Sequence, residues 1–190
     1  MILETIVTSA GVNGAAHIAP MGVHTHGADF VILPFRPSRT LDNLLETGAA
    51  VLNFTDDVRV FAGCLTGRRD WPLRDADQVP CRRLQDTLAH TELLVDRIED
   101  DELRPRIYCR AAHSVNHRPF HGFNRAQYSV LEAAILVSRL GMLPDDKIDR
   151  EIDYLRIGLD KTAGPRELEA WQWLMDAIAT HRATPRAEAR

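Results

Sequence analysis

The sequence lacks the features that mark several common protein classes. Its three cysteines, Cys64, Cys81 and Cys109, lie far apart with no C-x-x-C pair. That excludes a disulfide framework and a zinc knuckle and points to reduced thiols. No apolar run approaches the roughly 20 residues of a membrane span. The opening residues, MILETIVTSAG, carry no basic region of the secretory kind. A net charge of −4 leaves no broad cationic footprint for nucleic acid. G-x-x-x-x-G-K-[ST] is absent, as is a G-x-G-x-x-G following a strand, which excludes the usual cradles for nucleoside triphosphates and dinucleotides. The serine-hydrolase elbow G-x-S-x-G is missing too. The expectation is a cytoplasmic protein that engages neither nucleic acid nor membrane.

What is present is an ordinary soluble composition, 45% apolar and 26% charged over 190 residues. Such a chain suits one domain, or one domain with a modest extension. Up to about residue 120 it reads mainly as strands. LETIVTSA and AAHIAPMGV flank an Asn13-Gly14 hairpin turn, and DFVILPF, AAVLNFT, VRVFAGCL, TELLVDRIED and PRIYCRAAHSV follow. Residues 66–80 are polar and turn-rich, a surface loop. After Asn124, which suits a helix cap, the period becomes helical. Ile148, Ile152, Leu155 and Leu159 recur at helical steps, as do Leu168, Trp171, Leu174, Met175 and Ile178. Pro144 and Pro165 stand near helix starts. The expected fold class is α+β. A small β-barrel occupies residues 1–123, a helical extension residues 124–181, and a disordered tail residues 182–190.

The stretch FVILPFRPSRTLDNLLETG, Phe30 to Gly48, passes from an apolar strand to a short helix closed by Gly48. Ser38 or Thr40 is the N-cap. First-turn amides lack intrahelical partners, and the helix dipole favours an anion there. Arg36 and Arg39 add charged forks suited to phosphate oxygens. Two readings stand: a cradle for a phosphate monoester, or a capped helix with solvated arginines, one of them paired with Asp42.

HIAPMGV, then PFRPSRTLDNL, then AVLNFTDD, with NRAQYSVLEAAILVSRL later, resembles the flavin-binding split-barrel proteins. The likeness is to the branch labelled DUF447, and it covers nearly the whole chain. It implies a flavin-binding split β-barrel with a C-terminal helical extension, FMN as cofactor, and a homodimer with the flavin at the subunit interface. It also implies cofactor contacts residue by residue. Arg36, Ser38, Arg39 and Thr40 would hold the phosphate, with Asn43 close by. His17, Ile18, Ala19, Pro20 and Met21 would line the ring, with Asn53 and Phe54 on its other side. The activity implied is flavin-dependent oxidoreduction of unknown substrate. The alternative is a non-catalytic flavin-binding accessory or sensor, with a link to tetrahydromethanopterin one-carbon metabolism. If the flavin resemblance misleads, a phosphate-binding domain for another ligand is the third reading.

The histidines invite a metal reading, since His113, His117 and His121 step by four. Pro119 and Gly122 interrupt the segment and it holds no carboxylate, so no metal site is expected. HSVNHRPFHGFNR is read as a loop closing over the flavin site. No catalytic acid–base pair stands out; His17 or His113 is the candidate if a protein group assists. Cys64 reads as a buried small residue on a strand, and Trp171 faces the core while Trp173 is half exposed.

Overall fold

The computed structural model describes residues 1–184. The expected tail, residues 182–190, lies outside the described residues from 185 onward. Before that, the last helix runs through Ala183. The chain forms two compact units, Met1–Asp56 with Asp70–Phe120, and Asp57–Arg69 with His121–Arg190.

The first unit is a closed antiparallel barrel of six strands: β1 (Ile2–Ala10), β2 (Ala16–His26), β3 (Asp29–Ile32), β4 (Ala49–Phe54), β7 (Ala89–Glu99) and β8 (Arg106–Asn116). Around the barrel the order is β1-β2-β3-β8-β7-β4. β1 closes the ring by pairing with β2 through Val7↔Ala19 and with β4 through Val7↔Leu52. The β1–β2 turn holds Gly14 at φ 74°, the left-handed conformation that Asn-Gly turns require. β3 stops at Ile32, short of Phe35, because Pro34 has no amide hydrogen to continue the ladder.

Strand alternation sends Val7, Val23, Ile32, Leu52, Leu93 and Ile107 into the barrel. Helix α1 (Arg39–Thr47) plugs the interior with Leu41 and Leu44. The outer face of β1 and β4 buries Ala10, Ala49 and Val51 beneath Val79 and Cys81. A two-stranded hairpin, β5 (Leu73–Asp75) with β6 (Arg82–Leu84), belongs to that covering segment. Thr8 and Asn53 bond to it: Thr8 Oγ1 donates to the Arg82 carbonyl at 2.5 Å, and Asn53 Oδ1 accepts from the Leu84 amide at 2.7 Å.

The second unit packs α2 (Arg59–Leu65), α3 (Arg125–Val137), α4 (Asp145–Thr162) and α5 (Pro165–Ala183) around Val58, Ala62, Val130, Ile148, Leu155, Trp171 and Leu174. Trp173 is partly buried against the same cluster. VRVFAGCL, expected as a strand, is helix α2. A short apolar run buried on several sides reads alike as strand or helix. The local cue is Asp57, whose carboxylate accepts from the Arg59 amide at 3.1 Å and from its guanidinium at 2.9 and 2.6 Å. Cys64 is therefore buried on a helix, where desolvation pushes its thiol up to about 11, Arg69 offsetting only part. That rules against a nucleophilic thiolate.

α3 and α4 meet closely at Gly158. A Cβ there would stand 2.7 Å from Ser129 Oγ and 3.3 Å from the Arg125 carbonyl oxygen. The serine hydroxyl is held by the Leu155 and Arg125 carbonyls, so it cannot yield freely. Gly158→Val is expected to lower stability by about 1–3 kcal/mol through overpacking, read as a lower urea midpoint.

Candidate functional site

The expected contacts from the first half of the chain fall into three groups. The first is the N-terminus of α1. Ser38 is its N-cap, with extended backbone, and its Oγ accepts from the Leu41 amide at 3.2 Å. The amides of Arg39 and Thr40 precede it in the first turn, where no intrahelical acceptor exists. Arg39 is exposed and Thr40 is buried, 2% accessible. Arg36 is tied through its amide to the Leu103 carbonyl at 2.9 Å and through its guanidinium to Asp100 at 2.6 Å. Asp100, not Asp42, is the partner of that arginine. Asp100 itself is exposed, so this pair holds Arg36 only loosely.

The second group meets at Ser9. Asn43 Nδ2 donates to Ser9 Oγ at 2.9 Å, and His17 lies opposite Ser9 in the β1–β2 ladder. Ile18, Ala19, Pro20 and Met21 continue that ladder opposite Thr8, Val7, Ile6 and Thr5. Ile18 is buried, and Met21 packs on the barrel core.

The third group is Asn53 and Phe54 at the end of β4. Asn53 is inaccessible, and its amide is fully engaged. Nδ2 donates to the Ile6 carbonyl at 2.9 Å and to Thr8 Oγ1 at 3.2 Å, while Oδ1 takes the Leu84 amide. It ties β1, β4 and β6 together. Phe54 is half-buried and lines an open cavity of about 600 Å³ with Leu88, Ala89, Asn116, His117, Arg118 and Phe120.

That cavity adjoins a constellation the sequence reading missed. Glu92 is inaccessible, and its carboxylate takes four N–H groups: Asp77 amide at 2.6 Å and His90 Nε2 at 3.1 Å on Oε1, Gln78 amide at 2.7 Å and Val79 amide at 3.0 Å on Oε2. Burial alone would raise its pKa. The loop amides and the His90 ring outweigh burial and hold it below the ordinary 4.5. His90, equally inaccessible, turns Nδ1 to His117 Nε2 at 2.8 Å, the two ring planes within 7° of each other and their centroids 5.0 Å apart. His113 faces Asp77 at 3.6 Å. The available signal was strand period two, which puts His90 and Glu92 on one face of β7. Likewise His113 is not in a loop: HSVN forms the end of β8, and the loop begins at His117.

Asp77, Glu92 and His113 bring ligand-type atoms within 4.8 Å of one another. A cation there would compete with the amides already filling both Glu92 oxygens, so the cluster is read as a hydrogen-bonded anchor.

Residues 3–118 match the family described as protein of unknown function (DUF447) N-terminal domain, and residues 124–176 its second part, protein of unknown function (DUF447). The chain belongs to the DUF447 family. Among solved structures, it is similar to the FMN-bound DUF447 protein MM1853 of Methanosarcina mazei: 18% identity, TM-score 0.80, 93% of this chain and 94% of that one. It is similar also to the 2-nitrobenzoate 2-nitroreductase NbaA of Pseudomonas fluorescens, at 20% identity and TM-score 0.52 over 60% and 64% of the two chains. A third is an FMN-binding protein of Thermus thermophilus with bound 1-cyclohex-2-enone, at 12% and 0.52 over 61% and 71%. These likenesses place the barrel among FMN-binding split-barrel folds and, in the first case, extend over the helical part.

Because the folded pKa of Glu92 lies below its unfolded value, its stabilisation is fully present above about pH 4.5 and is lost as pH falls through the folded pKa. Glu92→Gln is expected to cost about 3 kcal/mol at pH 7 and to flatten the acid limb of a stability–pH curve measured by urea unfolding.

Proposed function

We propose that this DUF447 protein binds FMN with the phosphate at the N-terminus of α1, and serves flavin-dependent oxidoreduction. The observation carrying the reading is the first turn of α1. The Arg39 and Thr40 amides have no helical acceptor, Ser38 sets the cap, and Arg36 and Arg39 supply cations beside them. A phosphate monoester meets those donors as a dianion, and charge-assisted bonds of about 1.5–3 kcal/mol each suit it. FMN-binding relatives of the same fold support the identity of the ligand. When bound, FMN supplies hydride and electron transfer. The chain's share is to hold the phosphate, orient the ring against the barrel and limit access of water.

The reading includes a homodimer. Phe54 pairs with Ala89 at the start of β7, whereas Arg36 is tied to Asp100 just past its end. Roughly 35–37 Å of strand path separates Ala89 from Asp100, at about 3.2–3.4 Å per residue. One mononucleotide does not span that length, so a flavin touching both sets would take them from two chains. Asn53, committed to the β1–β4–β6 tie, serves the scaffold in this reading.

Parallel titrations with FMN and riboflavin, followed by flavin fluorescence, test the proposal. FMN is expected to bind at least about 100-fold more tightly, roughly 2.7 kcal/mol. Arg39→Ala and Arg36→Ala should each remove about tenfold or more of that difference, Arg39 the larger share because Arg36 is partly engaged by Asp100. Equal affinity for the two flavins would remove the phosphate reading.

A further inference from the structure

Glu92, His90 and His117 form a line from the buried outer face of β7 to the cavity, and the flavin reading, which uses Phe54 of that cavity, makes no use of the line. The geometry points to a proton-transfer site: His117 is the acid–base group of the 600 Å³ cavity, acting on a planar aromatic or heteroaromatic ligand with an acidic O–H or N–H. His90 and Glu92 are its positioning residues.

With His90 neutral, the hydrogen bonds define one protonation pattern. Glu92 is anionic, since three backbone amides can only donate to it. His90 Nε2 must then carry a hydrogen to bond Oε1, which in the neutral ring leaves Nδ1 as the acceptor. In that pattern His117 Nε2 supplies the hydrogen to the acceptor at 2.8 Å, and His117 Nδ1 holds a lone pair. The described residues offer Nδ1 no partner, and the ring lines the cavity.

A ligand O–H or N–H that gives its proton to Nδ1 leaves its electron pair on the ligand and makes His117 a cation. The Nε2 hydrogen can then pass to His90 Nδ1. His117 becomes neutral again, now with hydrogen on Nδ1, and the positive charge moves to His90 beside Glu92. The reverse sequence returns the proton. No oxidant or second reactant is required, and each bond formed is matched by one broken. The arrangement follows the general logic of a base oriented by a third group.

The ligand class follows from the cavity wall. Phe54, Leu88, Ala89, Pro119 and Phe120 offer apolar and aromatic surface, while Asn116 and His117 supply polar atoms. Arg118 is engaged by Asp86 at 3.0 Å and Asp56 at 3.4 Å, so its charge is offset. The charged groups facing the relay are Arg83 on β6, whose Nε is buried without a hydrogen-bond partner, Asp77 in the covering loop and His113 on β8, its ring centroid 6.2 Å from that of His90. Desolvation, then Arg83 and His90, lower the His117 pKa, while Asp77 opposes them. His117 is therefore neutral, the form a base requires, at pH 7.

The test uses the full chain and 4-nitrophenol, a planar phenol whose ionised form absorbs separately. In wild type, ring-nitrogen NMR should find His117 with hydrogen on Nε2 and none on Nδ1 at pH 7. The bound probe should ionise about one pH unit lower than the free one, a tenfold shift. His117→Gln, at an exposed position, should keep the fold and lose that shift. His90→Gln should leave the probe bound while its ionisation returns towards that of the free phenol. Hydrogen on His117 Nδ1, an ionisation unchanged by binding, a shift that survives His117→Gln, or failure of the probe to bind saturably would each overturn the assignment. The chain is freed of flavin before the titration, because Phe54 lines the same cavity, so none of these outcomes depends on FMN.

Discussion

The structure depends on β1 being paired along both edges. Its hydrogen bonding to β2 and β4 closes the sheet, and closure removes the exposed edges that an open sheet of this size would present. A closed barrel has two surfaces to satisfy. Inside, Leu41 and Leu44 of α1 fill the space between strands. Outside, the buried polar groups on β1, β4 and β7 require partners, because an unpaired buried amide or carboxylate is expensive. Asn53 and Thr8 find theirs on the β5–β6 hairpin, and Glu92 finds its partners in the loop between those two strands. The covering segment is thus bonded to the barrel at several points.

That requirement also shapes the chemistry. To saturate Glu92, the loop at residues 77–79 turns three amides inward and His90 presents Nε2. With His90 neutral, its tautomer follows, and with it the direction in which His117 donates. A scaffold demand on one carboxylate therefore determines the polarity of a chain ending at a cavity. At the far end of β7 the α1 N-terminus has the complementary character: cations and open amides suited to a phosphate. The two ends of one strand hairpin differ in the chemistry proposed for them, proton exchange at one and anion binding at the other.

Much of this was legible from residue patterns. Short apolar and β-branched runs in LETIVTSA, AAHIAPMGV and TELLVDRIED, the first two flanking the Asn13-Gly14 turn, marked strands. The Ile148–Leu159 series marked α4 because its period is helical. Ser38 as a cap was one of two readable options, and the structure selects it because its extended backbone brings Oγ to the Leu41 amide. VRVFAGCL misled because burial on several sides erases the difference between periods. The roles of Asn53 and Glu92 were hidden for another reason. Their partners, Leu84 and residues 77–79, are 31 and 13–15 positions away, and no local signal reports pairings set by how a loop lies on a sheet.

The most direct test of the central claim is a crystal structure of the chain grown with FMN. The account predicts the phosphate within hydrogen-bonding distance of the Arg39 and Thr40 amides, with a guanidinium of Arg36 or Arg39 against its oxygens. A phosphate bound elsewhere, or FMN seated with its phosphate in solvent and the first turn of α1 untouched, would contradict it.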